Sequence, residues 1–306
     1  MAALAASERW LFAARFEKAT AALELAPAAE GEALPAAVRV ALAAQRAEVE
    51  LVAGTVRRRF DSYAATLEAL RELGPEAEAL PEQAVRARFL AALAAAELHA
   101  GELDGAAEHA AAAAELRGLL DDAAGRAEAV ALALHVAHLK LLRESGERAR
   151  RTELLGRYET AIRDAEAVGA RRALAVDLHH LGRLLAETFA DPVGAIPLYR
   201  RAAALREELG DRPGLAPVYH ALGDLHEELG ETATAAHWFR VAFVSADEIG
   251  YVRFRVNPRL RLAELLRARG EADAARGWLA EARRIAAADG WQAGEEEAAR
   301  RLAALD

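Results

Sequence analysis

Residues 219–242 read YHALGDLHEELGETATAAHWFRVA and contain the pattern that decides the fold. The stretch is two amphipathic helical segments separated by Gly230, which provides the left-handed backbone that ends a helix. Gly223 lies in the first segment, and Ala235 and Ala242 lie in the second. Two antiparallel helices approach closely only where their side chains are small. The three small residues therefore predict where a helix pair crosses.

The same spacing of small residues recurs along the chain, which indicates an internal repeat. The further sets are Ala94, Ala106 and Ala113; Ala263, Ala275 and Ala282; and, with one inserted residue, Gly182, Ala195 and Ala202. Alanine, leucine, arginine and glutamate, all good helix formers, fill most other positions. We therefore predict about fourteen helices, with breaks at Gly54 and at Gly74-Pro75 and with one helix starting near residue 256.

The quoted stretch resembles a full tetratricopeptide repeat (TPR), because Leu222-Gly223, Gly230, Ala235, Phe239 and Ala242 stand where that family keeps its packing residues. Residues 89–113, 178–203 and 260–282 are similar to it. Successive units lie about 40 to 45 residues apart, as in the longer-helix variants of bacterial regulators.

This resemblance implies an all-α, right-handed α-α superhelix of about six helix-turn-helix repeats with terminal capping helices. We expect one solenoid over residues 1–306. It has an N-terminal helix within 1–34, repeats over 35–290 that are best defined over 80–290, and a capping helix over 291–306.

Composition excludes several classes of function. The chain has 306 residues, no cysteine and a net charge of −9, so thiolate chemistry is absent and non-specific nucleic-acid binding is not expected. No apolar run is long enough for a membrane span, and no export signal is evident, so we expect a cytoplasmic protein without a membrane partner. No catalytic, nucleotide-binding or metal motif occurs, so we predict no enzyme activity and no cofactor.

Histidine is the one residue type that suggests chemistry. His135 and His138 are three apart and share a helix face, and His179 and His220 fall at equivalent places in neighbouring repeats. Such a set could ligate a metal ion together with nearby carboxylates, so a metal-dependent protein is kept as a lesser alternative. Ordinary hydrogen-bonded or half-buried histidines explain the pattern as well, and we assign no metal site.

The resemblance also implies which residues face the concave groove. The set is His135, His138, His179, Arg183, Glu187, His220, Asp224, Glu227, Asn257, Glu264 and Arg267. Its mixed charge favours a protein or peptide partner, for instance a helix lying in the groove. We further expect ion pairs between repeats, Arg183 with Asp224 and Arg267 with Glu227.

Two hypotheses of function remain from this set. The first is a non-catalytic TPR scaffold that binds a protein or peptide. The alternative is a regulatory sensor whose repeats bind a small molecule or signalling peptide. In addition, Trp10, Phe12 and Phe16 near the N-terminus form an apolar cluster that either caps the first repeat or joins two copies in a homodimer.

Overall fold

The computed structural model describes Ser7, Leu11 and residues 16–24, 34–59, 61–144 and 148–305. In these residues the regular secondary structure is α-helical throughout, which confirms the predicted all-α class. The helices whose bounds lie within the described ranges are α1 (Phe16–Glu24), α2 (Ala36–Arg57), α3 (Asp61–Glu78), α4 (Gln83–Ala100), α5 (Leu103–Leu119), α6 (Ala123–Arg143), α7 (Arg148–Ala167), α8 (Arg171–Phe189), α9 (Pro192–Leu209), α10 (Arg212–Glu228), α11 (Thr232–Ile249), α12 (Val252–Ala268), α13 (Ala272–Ala288) and α14 (Gln292–Ala303).

Three predicted boundaries are wrong. Helix α2 continues through Gly54 to Arg57, and α3 continues through Gly74-Pro75 to Glu78. A proline removes one backbone hydrogen bond, but burial of Ala77 beyond it keeps the last turn of α3 helical. Helix α12 begins at Val252, earlier than expected, because the buried side chains of Val252 and Phe254 extend its apolar face toward the N-terminus.

Glycine residues end several helices, and aspartate side chains cap the starts of others. Gly230, predicted to end a helix, has a φ angle of 75°, and Gly101 and Gly270, which also follow helices, have φ angles of 85° and 78°. This is the left-handed region that glycine tolerates. At the starts of α9 and α10, Asp191 and Asp211 cap the helix by accepting hydrogen bonds from backbone N–H groups three residues on, at 2.8 and 3.2 Å.

The helices group into two compact units along the chain. Unit 1 comprises residues 1–54 and 59–184, and unit 2 comprises residues 55–58 and 185–306. In unit 1, consecutive helices from α3 to α7 pack on each other, and α4 also packs against α6. In unit 2, consecutive helices from α9 to α14 pack in the same way, and α10 packs against α12, which packs against α14.

This order of packing is that of stacked helix pairs. We call α2, α4, α6, α8, α10 and α12 the first helices and the helix after each its second helix. First helices begin at residues 171, 212 and 252, so the repeat is about 40 residues, as predicted. A single solenoid over the whole chain stays a prediction.

The small residues occupy the predicted crossings. Ala235, Ala242, Ala275 and Ala282 are each 0% exposed. A Cβ atom at Gly223 of α10 would lie 2.5 Å from Cδ1 of Phe239 on α11, so only glycine permits this approach. The excess of alanine is therefore part of the packing of the repeats.

Aromatic residues lie near both ends of the chain. Phe16 is only 4% exposed, whereas Trp10 and Phe12 lie outside the described residues, so the predicted aromatic dimer surface stays a prediction. Helix α14 buries Ala298 and places Trp291 and Leu302 against the core of α12 and α13. Within the described ranges, no helix has the length and hydropathy to cross a membrane.

Candidate functional site

The predicted site residues all lie on first helices but belong to two units. His135 and His138 lie on α6 and His179 and Arg183 on α8, all in unit 1. Unit 2 contains the remaining members, which are Glu187, His220, Asp224, Glu227, Asn257, Glu264 and Arg267.

An ion cluster around Arg261 is the main polar feature on the first helices of unit 2. The Arg261 guanidinium of α12 lies 3.2 Å from Asp224 and 2.9 Å from Glu227, both on α10. It also lies 3.3 Å from Glu264 on its own helix. Arg301 of α14 continues the cluster, at 2.6 Å from Glu264. We call Asp224, Glu227, Arg261, Glu264 and Arg301 the Arg261 cluster.

No sequence pattern predicts two members of the Arg261 cluster. Arg261 and Arg301 lie among many arginines on charged helices, and no residue pattern separates them from the others. The predicted partner of Glu227 was Arg267, but Arg261 pairs with it instead, and Arg267 is exposed further along α12. In the described part of the chain, Arg267 and Asn257 show no ion pair or hydrogen bond. Glu187 is exposed on α8.

The cluster has more acid than base around its centre. Burial raises the pKa of Asp224 to about 6, although Arg261 opposes the shift, while the charges of Glu227 and Glu264 add to it. The pKa of Glu227 is raised by burial and by the charge of Glu264, again against Arg261. The Asp224 side chain is nevertheless 45% exposed, so solvent or a partner can reach it.

His220 lies next to the Arg261 cluster and carries no charge at neutral pH. Its ring lies 5.4 Å from that of Phe239 and 5.5 Å from that of Phe254, and its Nε2 atom lies 3.5 Å from Asp224. Burial lowers its pKa to about 3, and Arg261 and Arg253 add to the effect. At neutral pH this histidine is an uncharged, largely buried contact of Asp224.

Three histidines of unit 1, His135, His179 and His180, are packed against one another. His135 of α6 stacks on His180 of α8 with ring centroids 3.9 Å apart, and His179 meets the edge of His180 at 5.0 Å. His138 is 0% exposed and lies 6.4 Å from Tyr158. Burial lowers the pKa of His135 to about 3 and also lowers that of His180 well below its ordinary value.

Two further buried polar residues accompany these histidines. Asp177 of α8 is 1% exposed, and burial raises its pKa to about 7. Burial also raises the pKa of Tyr158, with the charge of Asp177 contributing. Among the described residues, no hydrogen bond reaches the Asp177 carboxyl or the Tyr158 hydroxyl. The sequence signal was an aspartate inside the apolar run LAVDLHHL at 174–181.

Metal binding receives no support from this arrangement. In the part of the chain that the structure describes, no three histidine, aspartate or glutamate side chains are placed to hold a metal ion. Metal ligation needs three or four donors that converge on one point, whereas these histidine rings stack or meet edge to face.

A cavity of about 450 Å³ opens in unit 1. Helices α2, α4, α6 and α8 all contribute to its walls, so it lies on the first-helix side of the stack. Its polar wall contains Glu48, Arg88 and Arg172, and its apolar wall is rich in alanine. No sequence motif predicts this cavity, because alanine-rich helices carry no chemical motif.

No protein-family model matches the sequence, and no curated protein is similar to it. Solved structures do share its fold. A STAND signal-transduction ATPase with a tetratricopeptide repeat sensor from Pyrococcus horikoshii has a TM-score of 0.62 at 14% identity. The match covers 88% of this chain and 40% of that one, so this chain spans less than half of that protein.

Two further similar structures match over nearly the full length of the chain. A Rap protein complexed with competence and sporulation factor has a TM-score of 0.57 at 13% identity, covering 99% of this chain and 96% of that one. Aspartyl phosphate phosphatase F from Bacillus subtilis has a TM-score of 0.55 at 12% identity, covering 98% and 92%. Together with the STAND sensor, these likenesses confirm that the chain has the TPR-type solenoid fold.

Proposed function

We propose that this TPR-type chain is a non-catalytic scaffold that binds a protein or peptide partner on the first helices of unit 2. The observation that carries the proposal is the Arg261 cluster, in which α10, α12 and α14 present charged side chains on adjoining helices. Such a row of accessible charges across successive repeats suits a polypeptide that lies across them.

The chemistry of the cluster favours a basic segment of the partner. Asp224, Glu227 and Glu264 surround Arg261, and the second cation, Arg301, is shared with Glu297. The raised pKa values of Asp224 and Glu227 follow from burial and from mutual repulsion that one guanidinium does not cancel. A lysine or arginine side chain of the partner would supply the missing positive charge.

The similar structures support binding more than catalysis. One is a Rap protein in complex with competence and sporulation factor, and another contains a TPR sensor. A third is named a phosphatase, but at 12% identity its chemistry does not transfer to this chain. His135 and His220, which burial keeps uncharged at neutral pH, also suit a structural role more than acid–base catalysis.

The proposal is tested with peptides selected for binding. We would display a random peptide library, select on the wild-type protein, and measure the affinities of enriched peptides for the triple variant Asp224→Asn, Glu227→Gln and Glu264→Gln. Enriched peptides should carry lysine or arginine and should lose at least about tenfold in affinity. The control is Glu228→Gln, an exposed acid of the same helix. Peptides without basic residues, or equal binding to the triple variant, would exclude this site.

A second function, as a sensor of a small molecule, is favoured by the cavity in unit 1. A volume of about 450 Å³ is within the range of small-molecule sites. The cavity and the Arg261 cluster belong to different units and can be tested separately.

A further inference from the structure

The cavity of unit 1 has an apolar floor made of small side chains. Four first helices contribute to it, and most of its apolar lining is alanine, namely Ala44, Ala91, Ala92, Ala95, Ala129, Ala131 and Ala173. Larger side chains at these positions would fill the space between the helices. Leu51, Leu132 and Val176 are further apolar residues of the lining. This floor suits a compact hydrocarbon body.

A hydrogen-bonded chain of polar side chains forms one wall of the cavity. Arg172 of α8 donates to Glu48 of α2, Gln45 donates to the same carboxylate at 3.1 Å, and Arg88 of α4 donates to the Gln45 carbonyl oxygen. Gln45 is 0% exposed, which fixes the wall in place. Arg172 thus contacts the Glu48 carboxylate directly, and Arg88 is connected to it through Gln45.

The electrostatics of Glu48 show that this wall favours negative charge. Burial opposes ionisation of Glu48, but the charges and hydrogen bonds of Arg172 and the charge of Arg88 hold its pKa below the ordinary value. The side chains of Arg172 and Glu48 are 35% and 29% exposed, so a ligand in the cavity can reach both.

The other titratable groups of the lining do not cancel this preference. Arg117 is already paired with Asp122, and Glu128 is exposed to solvent. His135 is uncharged at neutral pH, and burial lowers the pKa of His99 below its ordinary value. The lining as a whole contains three arginines and two glutamates, so positive charge is in excess.

We propose that the cavity binds a small amphiphilic anion, with a carboxylate or phosphate group on Arg172 and Arg88 and an apolar body over the alanine floor. Guanidinium groups bind both kinds of anion through paired hydrogen bonds. Glu48 competes with the ligand for Arg172, so ligand binding displaces an internal ion pair between α2 and α8. This inference rests on the proposed sensor function, whose ligand it names, and is independent of the partner site in unit 2.

The test uses anilinonaphthalene sulfonate, a fluorescent amphiphilic anion, as the probe. The probe is bound to the wild-type protein and displaced with octanoate, octyl phosphate, octanol or octylamine, which share one tail and differ in the head group. Octanoate or octyl phosphate should displace it at concentrations at least about tenfold lower than octanol or octylamine. The first two compounds also show which anionic head group is preferred.

Two substitutions should act in opposite directions. Arg172→Gln should weaken octanoate binding about tenfold or more, whereas Glu48→Gln should strengthen it severalfold because the competing carboxylate is gone. Arg163→Gln, on the exposed side of α7, is the control. Far-ultraviolet circular dichroism and thermal unfolding would be compared for every variant, because loosened proteins also bind this probe.

If these variants unfold, a variant with a larger side chain in the cavity provides a second test. Ala92→Leu should abolish displaceable binding while the circular dichroism spectrum stays unchanged. Equal displacement by octanoate and octanol, or the same direction of change for Arg172→Gln and Glu48→Gln, would overturn the inference. The triple variant of the Arg261 cluster should bind the probe as the wild type does, so failure of one proposal is distinguishable from failure of the other.

Discussion

The guanidinium of Arg261 on α12 lies 2.9 Å from the carboxylate of Glu227 on α10, and so joins two helices that are separated in sequence by all of α11. The same guanidinium contacts Asp224 and Glu264. The stacking of first helices thus has an electrostatic component in addition to the packing of alanines. Both components can be measured.

Replacing Arg261 with methionine should destabilise the protein in a pH-dependent way. The apolar stem is kept, but three carboxylates lose their shared cation. Because these pairs are partly exposed, we expect a loss of about 1 kcal/mol in the free energy of unfolding at pH 7. The loss should be smaller at pH 5, because Asp224, with a pKa of about 6, is then largely protonated.

Urea unfolding at the two pH values measures this effect. Arg267→Met is the matched control, because Arg267 is exposed on the same helix. A loss that does not change with pH would mean that Arg261 contributes through packing alone.

The buried carboxyl of Asp177 should make the stability of unit 1 fall as the pH rises. Its pKa is about 7 in the folded chain and about 3.9 in an unfolded one. The folded state therefore holds the proton more tightly, and stability is lost as the pH rises from about 4 through 7. The difference of about 3 pKa units corresponds to at most about 4 kcal/mol.

The variant Asp177→Asn removes this titration. The free energy of unfolding of the variant, minus that of the wild type, should increase between pH 4 and pH 8. Urea unfolding across this range gives the slope, and Asp164→Asn on the exposed face of α7 is the control. A difference that is constant with pH would show that the pKa of Asp177 is the same in the folded and the unfolded chain.

Buried histidines produce the opposite trend at lower pH. The pKa values of His135 and His220 are about 3 in the folded chain, below the ordinary value of about 6.5. The unfolded chain therefore takes up protons first, and stability is lost as the pH falls below about 6.5. The variant His220→Gln should flatten this acid limb, as measured by thermal unfolding between pH 4 and pH 7, while the exposed His237→Gln should not.

Gly223→Ala should destabilise the protein, although alanine ordinarily favours a helix over glycine. A Cβ atom there would overlap the Phe239 ring, at 2.5 Å from Cδ1. We expect a loss of about 1–3 kcal/mol from overpacking, which Phe239→Leu in the same chain should partly restore. Gly277→Ala is the control, because nothing lies within 4 Å of its Cβ position, and it should stabilise α13 by about 0.5–1 kcal/mol.

These examples show which parts of the structure the sequence predicts. The spacing of glycine and alanine predicts the helix pairs, because close helix crossings accept few residue types. Larger side chains at Gly223 or Ala235 would prevent the helices from approaching. Arginine and glutamate are accepted at every exposed position of a helix. The sequence therefore does not distinguish Arg261 from the many other arginines. The cavity of unit 1 is the space left between four helices that are far apart in sequence. No local sequence pattern predicts such a space.

Asp211 combines two roles at the start of α10 that can be separated experimentally. Its Oδ1 atom accepts a hydrogen bond from the Gly214 backbone at 3.2 Å, and its Oδ2 atom lies 3.0 Å from Nη1 of Arg206, whose side chain is 11% exposed. Asp211→Ala removes both contacts and should lower the free energy of unfolding by about 1–2 kcal/mol. Asp211→Asn keeps a capping oxygen, so it should recover the part of this loss that comes from the cap. A double-mutant cycle with Arg206→Met then measures the ion pair by urea unfolding. If Asp211→Asn loses as much as Asp211→Ala, the ion pair and not the cap stabilises the start of α10.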